Sequence, residues 1–218
     1  MKLTLTCSTL RHALVLSLPA FAMLSGCGGS SSPTGPSTAA TPAPTPAGPA
    51  RTTVSLNAAA DQTAYSGSLT WLGPAQSFSV DFKLDKINSS PTAQFKYAIE
   101  FWLTKTADAT AADPVTDGVV LSLFQAQDNT WNVWVRSPGD TSYRSSGNQM
   151  QLTVGASKTL RVVRAADGNI AFTIDGVPPV ALAMYKENAF VFARVVGTAA
   201  TFTYVQGATT ASLNSARF

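Results

Sequence analysis

Apolar and polar residues alternate one by one through much of this chain, and that period limits its fold more than any other feature. Phe78-Ser79-Val80-Asp81-Phe82-Lys83-Leu84 places Phe78, Val80, Phe82 and Leu84 on one face of an extended segment. Tyr97 to Leu103 repeats the pattern with Tyr97, Ile99, Phe101 and Leu103. The spacing predicts further strands over 119–125, 130–136, 158–165, 169–175, 189–195 and 201–206, with Ala126 to Asn129 as one of the turns. Ala166-Asp167-Gly168 and Asp175-Gly176 are turn signals, because glycine tolerates the positive φ that a tight hairpin needs. No apolar repeat at helical spacing lasts beyond a turn or two. Roughly twelve short strands with turns every 8–12 residues indicate an all-β, antiparallel two-sheet sandwich, with a closed barrel as the alternative.

The alternation begins only after Arg51, and the residues before it divide in two. Gly28 to Ala50 contains only Gly, Ser, Thr, Ala and Pro, including Pro33, Pro36, Pro42, Pro44, Pro46 and Pro49. Such a composition supplies nothing to bury, so 27–50 reads as a disordered tether, which fully extended at about 3.1 Å per residue reaches roughly 70 Å. Before it, Lys2 and Arg11 precede the apolar run Ala13 to Leu24, and no acid is present. About 20 apolar residues are needed to span a bilayer, so a run this short behind a basic start fits a signal-peptide core better. The organisation is therefore a leader over 1–26, the tether over 27–50 and one domain over 51–218. A domain of that length buries a sizeable core without disulfides.

Leu24-Ser25-Gly26-Cys27 closes the leader and resembles the bacterial lipobox, in which small residues precede a Cys that becomes diacylated. The resemblance implies cleavage after Gly26, lipidation (palmitate among the acyl chains) at Cys27, and a membrane as the first partner. Gly28, not Asp, follows the Cys. By the same likeness that points to the cell envelope, at the outer membrane of a Gram-negative bacterium.

Lys158-Thr159-Leu160-Arg161-Val162-Val163-Arg164, followed by Asp167-Gly168 and by Asn169 to Gly176, carries a second likeness. It resembles the penultimate hairpin of concanavalin A-like lectin/glucanase and laminin G-like domains, where an L-R-V-x-R strand passes through a DG turn to a strand closing in D-G. The specific similarity spans about twenty residues. It implies a lectin-like jelly roll with one concave sheet.

Several chemistries are excluded once the leader is removed. His12, the only His, lies in it, as does Cys7. A Ser-His-Asp triad, a His-based metal site and a free Cys nucleophile therefore have no residues to build them, and we expect no cofactor and no metal. Lys2 and Arg11 are two of the fifteen Lys and Arg, and none of the twelve acids lies in the leader, so the formal charge falls from +3 to +1. Scattered bases at that charge do not make a nucleic-acid footprint. Glycoside hydrolysis needs two facing carboxylates. The superfamily's Glu-x-Asp-x-x-Glu strand is absent, since Glu100 is followed by Phe-Trp-Leu-Thr and the only other Glu is Glu187. Asp81 and Glu100 would make a pair only if their strands were neighbours. Tyr143-Arg144 and Tyr185-Lys186 carry residue types that a lyase uses but match no lyase motif, and Asp108, Asp113 and Asp117 match no calcium motif. No catalytic residue is assigned.

Binding chemistry is better represented. In Thr130 to Arg136, Trp131, Val133 and Val135 share the apolar face, which leaves Trp134 beside Asn132 and Arg136. Trp102 likewise falls with Glu100, opposite its apolar neighbours. An indole on a polar face offers a sugar ring a flat surface to stack on, next to groups that take its hydroxyls. Trp102, Trp134, Asn132, Arg136 and Glu100 are therefore the candidate residues of a glycan groove. The expected function is a lipid-anchored envelope module that binds a glycan or other envelope polymer. A polysaccharide hydrolase or lyase on the same fold, and a structural or protein-interaction sandwich without a small ligand, are the alternatives.

Overall fold

The computed structural model describes residues 49–88, 97–107, 118–127, 129–182, 189–207 and 209–210. Cys27 and its leader, the Asp108–Asp117 loop, Tyr185, Lys186 and the C-terminal eight residues lie outside these segments. Fourteen strands and no helix occur among the described residues. In chain order they are β1 (Arg51–Asn57), β2 (Thr63–Tyr65), β3 (Thr70–Leu72), β4 (Gln76–Ile87), β5 (Ala98–Thr104), β6 (Gly118–Gln127) and β7 (Thr130–Arg136). The second half holds β8 (Arg144–Gln151), β9 (Ser157–Arg164), β10 (Ile170–Ile174), β11 (Val177–Leu182), β12 (Ala189–Val196), β13 (Thr198–Val205) and β14 (Thr209–Thr210).

They form two antiparallel sheets, so the fold is the expected all-β two-sheet sandwich. One sheet runs β1-β13-β4-β9-β10-β11 with β14 added to β4, and the other runs β2-β12-β5-β6-β7-β8 with β3 added to β12. Central strands of both sheets come from distant parts of the chain: β4 lies between β13 and β9, and β5 between β12 and β6. Gly197 makes the crossing from one sheet to the other between β12 and β13, at φ +55°, a conformation that costs glycine little.

The core is the meeting of the two inward faces. Phe78, Val80, Phe82 and Leu84 of β4 meet Ile99, Phe101 and Leu103 of β5, all at most 2 % exposed. Phe101 takes Phe82 and Phe202 edge-on, at 5.4 and 5.8 Å between ring centroids. Trp131 is fully enclosed and donates its indole N–H to the Leu152 carbonyl at 2.9 Å. The β9–β10 hairpin closes as its turn residues require, with Gly168 at φ +90° and Asp167 accepting the Asn169 amide at 2.9 Å.

Eight strands match the runs read from alternation, within a few residues at each end. The other six match no such run, and local features of two of them show why. β11 contains Pro178 and Pro179 and sits at a sheet edge, where missing N–H donors are tolerated. β8, Arg-Ser-Ser-Gly-Asn-Gln-Met-Gln, is the opposite sheet's edge and buries only Met150. β5 is different again: every one of its residues is buried, on both faces. Something covers the outer side of this sheet, and the candidate site lies there.

Candidate functional site

Strand register assembles the outer face of the β2–β8 sheet in rows. Phe192, Trp102, Val120 and Arg136 lie side by side across β12, β5, β6 and β7. The next row is Tyr65, Arg194, Glu100, Ser122 and Trp134, and the one beyond it includes Phe124 and Asn132. The register irregularities lie at Gln125–Gln127 of β6 and opposite Asn132–Trp134 on β8, so Trp134 and Arg136 keep their side. All five candidate residues therefore occupy one sheet face. Their surroundings divide them into two groups.

Glu100 is the centre of the first group. It is 1 % exposed, and its carboxylate accepts four hydrogen bonds. Oε1 takes the Ser122 hydroxyl at 2.9 Å and the Tyr143 hydroxyl at 3.0 Å. Oε2 takes the Trp102 indole N–H at 3.0 Å and Nη1 of Arg194 at 2.6 Å. A buried carboxylate is tolerable when it is paired and bonded in this way. Trp102, 3 % exposed, has its ring edge-on to Tyr65 at 5.6 Å and under the Arg194 guanidinium at 5.1 Å. With Val120 and Phe192 it forms a second apolar cluster, separate from the main core, against which Tyr65, Tyr143 and Phe190 pack. Burial works against the charge of Arg194, but Glu100 outweighs it and keeps the guanidinium charged above its usual range. Burial, reinforced by the Glu100 charge, pushes the Tyr143 phenol far above its ordinary range, so it remains a neutral donor.

Trp134 and Arg136 make up the second group. Trp134 is half-buried and meets Phe124 edge-on at 6.4 Å between ring centroids. Together with Ser142 and Tyr143 these rings line an open, mainly apolar cavity of about 380 Å³. Arg136 is 6 % exposed, with its guanidinium 4.9 Å from the Tyr143 ring centroid. The indole N–H of Trp134 and both Nε and Nη2 of Arg136 are buried without a hydrogen-bond partner. Asn132, half-buried, is engaged at the sheet margin, where its Oδ1 accepts Gln149 Nε2 at 2.9 Å.

Tyr143 reaches this face from the β7–β8 loop, which Asp140 organises. Its Oδ2 accepts the Ser137 amide at 3.0 Å and Arg144 Nη2 at 2.5 Å. The Arg144 hydrogen bond, with the Ser137 amide second, lowers the Asp140 carboxyl below its ordinary value. The neighbours Tyr143 and Arg144 thus separate, one to Glu100 and the other to Asp140. Asp81 and Glu100 separate further. They lie in different sheets, Asp81 on the outer side of the β4 sheet with Arg51 and Thr159, so they cannot flank one substrate. A second cavity of similar volume opens between the sheet edges, near Arg144, Asn148 and Pro179, and no aromatic residue lines it.

Sequence reading missed Arg194, Tyr65 and Ser122. A signal for Arg194 was present: Phe190, Phe192 and Arg194 alternate with Val191, Ala193 and Val195, so both faces of that strand are apolar except at one charge. A lone Arg in such a strand needs a buried acid opposite, and register supplies Glu100.

No protein-family model and no curated protein sequence matches the chain. Among solved structures it is similar to a carbohydrate-binding module from Bacillus subtilis, at 12 % identity over 70 % of this chain and 84 % of that one, TM-score 0.43. It is also similar to a legume lectin-like domain from Entamoeba histolytica, at 10 % identity over 70 % and 80 %, TM-score 0.43. A toad ovary galectin aligns at 13 % identity over 67 % and 99 %, TM-score 0.38.

Proposed function

We propose that this chain is a lipid-anchored cell-envelope protein, tethered through Cys27 at the bacterial outer membrane, whose sandwich binds a glycan or other envelope polymer. The binding surface is the Trp134–Arg136 end of the outer β2–β8 face. One observation carries this reading. A half-buried indole and two aromatic neighbours border an open apolar cavity, and three donors on the same strand face lack acceptors. Sugar rings present apolar C–H faces and hydroxyl acceptors together, which is the complement of such a surface. Glu100 and Trp102 take the supporting part: their hydrogen bonds and ring contacts are already used, and they hold Tyr143 and Arg194 in place.

Saturation of Glu100 favours binding over hydrolysis, because a general acid or base must exchange a proton with substrate and this carboxylate is occupied by four donors. The burial of Trp102 favours, as a second reading, a sandwich that contacts protein through this face. A glycan array with the mature chain and its Trp134→Ala variant separates the two. The expected result is a discrete set of glycan signals that weaken about tenfold or more in the variant with its melting temperature little changed. Signals identical in both proteins would remove the site from the Trp134 face. In the producing bacterium, Cys27→Ser should abolish metabolic labelling with a fatty acid and release the protein from the membrane fraction.

A further inference from the structure

Arg136 differs from every other cation whose contacts the structure gives on this face. Arg194 has Glu100, and Arg144, on the loop side, has Asp140. Arg136 has an aromatic ring beside it and, among the described residues, no carboxylate paired with it. The two nearby acids are committed: Glu100 accepts four hydrogen bonds, and Asp140 is held by Arg144 and the Ser137 amide. Among the described residues the face therefore holds a permanent positive charge, more than nine-tenths buried, to which no carboxylate is hydrogen-bonded.

The unused atoms define the missing partner. Nε–H and Nη2–H share one edge of a guanidinium and point the same way, the fork that matches the two oxygens of a carboxylate. Two residues earlier on the same strand face, the Trp134 N–H adds a third unpartnered donor. No donor is needed from the ligand's side: each of these three unsatisfied groups is an N–H that wants an oxygen acceptor. The cavity of Phe124, Trp134, Ser142 and Tyr143 beside it is mainly apolar, so the charge-bearing group arrives attached to a body with an apolar face.

We infer that the ligand is an acidic glycan, and that a uronic acid carboxylate occupies the Nε–Nη2 edge of Arg136 while its sugar ring lies against Trp134. This rests on the glycan-binding reading above and narrows its ligand class. Access to the guanidinium edge requires the neighbouring side chains, the Tyr143 ring among them, to give way as the carboxylate enters.

The test uses the mature wild-type chain and four matched probes: a uronate oligosaccharide, its carboxyl methyl ester, its carboxyl-reduced neutral form and a sulfated neutral counterpart, each titrated by calorimetry. The expected result is binding of the uronate that falls about 10- to 100-fold on esterification or reduction, the range of a charge-assisted hydrogen-bond pair. Arg136→Gln should show a similar loss, and Arg136→Lys most of it, because an ammonium keeps the charge without the fork. The ester comparison needs no variant and stands even if Arg136→Gln fails to fold. Equal affinity for the ester and the acid overturns the uronate assignment and leaves glycan binding intact. Equal affinity for the sulfated probe overturns the carboxylate fork in favour of charge alone. Failure to bind any of the four, together with a blank glycan array, overturns the glycan reading itself.

Discussion

The two outer faces of the sandwich solve the same problem in opposite ways. On the β4 sheet, short polar side chains pair across strands: Thr53 with Thr203 at 3.2 Å, Ser55 with Thr201 at 3.0 Å, Thr159 with Asp81 at 2.8 Å and Thr201 with Asp85 at 2.6 Å. Lys83 and Asp85 add an ion pair whose side chains are 49 % and 29 % exposed. Water reaches these groups, so no single bond matters much. On the β5 sheet the same alternation delivers Trp102, Glu100, Ser122 and Arg136, all buried. A sandwich needs only one hydrophobic face per sheet to fold. The β4 sheet stops there. The β5 sheet buries its second face as well, with charges that the fold does not require, and it is the face bearing unpartnered donors.

The largest consequence of this difference concerns stability. Glu100→Gln leaves the Arg194 guanidinium beside a neutral amide and puts an amide donor either against the Ser122 and Tyr143 hydroxyls or against the Trp102 and Arg194 N–H groups. Removing one partner of a buried pair costs about 3–5 kcal/mol. Asp81→Asn on the other face removes an exposed partner of Arg51, and surface pairs contribute about 0–1 kcal/mol. Urea denaturation of both variants should reproduce that gap. Comparable losses in the two variants would mean that the faces are not distinct in the way their burial indicates.

The same contrast explains what could be read before the structure. A period of two reveals which residues share a strand face, and it placed Trp102 with Glu100 and Trp134 with Asn132 and Arg136 on their respective strands. Strand neighbours are a long-range property. Nothing local to Phe78–Leu84 or Tyr97–Leu103 indicates that β13 and β12 come between distant segments, and so Asp81 and Glu100 looked like a conceivable pair although they belong to different sheets. Burial of the second face was hidden for a related reason. Polar residues at alternate positions ordinarily face water, and here Tyr143 arrives from a loop after Pro138-Gly139 to cover them. The edge strands β8 and β11 gave no periodic signal because an edge strand need not have a buried face at every second residue.

That covering loop sharpens the comparison at its smallest scale. Asp140 holds the loop through Ser137 and Arg144, and its carboxyl is lowered below the ordinary value of 3.8 by those bonds. A depressed folded-state pKa contributes stability above the ordinary value, and the contribution is lost as pH falls through the depressed one. The side chain is open to solvent, so the effect on global unfolding is small. Its local effect is directed at one face only, because the loop it anchors delivers Tyr143 to Glu100, with Trp102, Trp134 and Arg136 adjoining. Indole fluorescence followed from pH 7 downward should show a change below the ordinary carboxylate range in the wild type. In Asp140→Asn that change should already be present at pH 7, while the acid-induced loss of sheet structure by far-ultraviolet circular dichroism stays close to wild type. An acid profile of fluorescence identical in the two proteins would separate the loop from Asp140 and leave the covering of this face to Tyr143 and its aromatic neighbours alone.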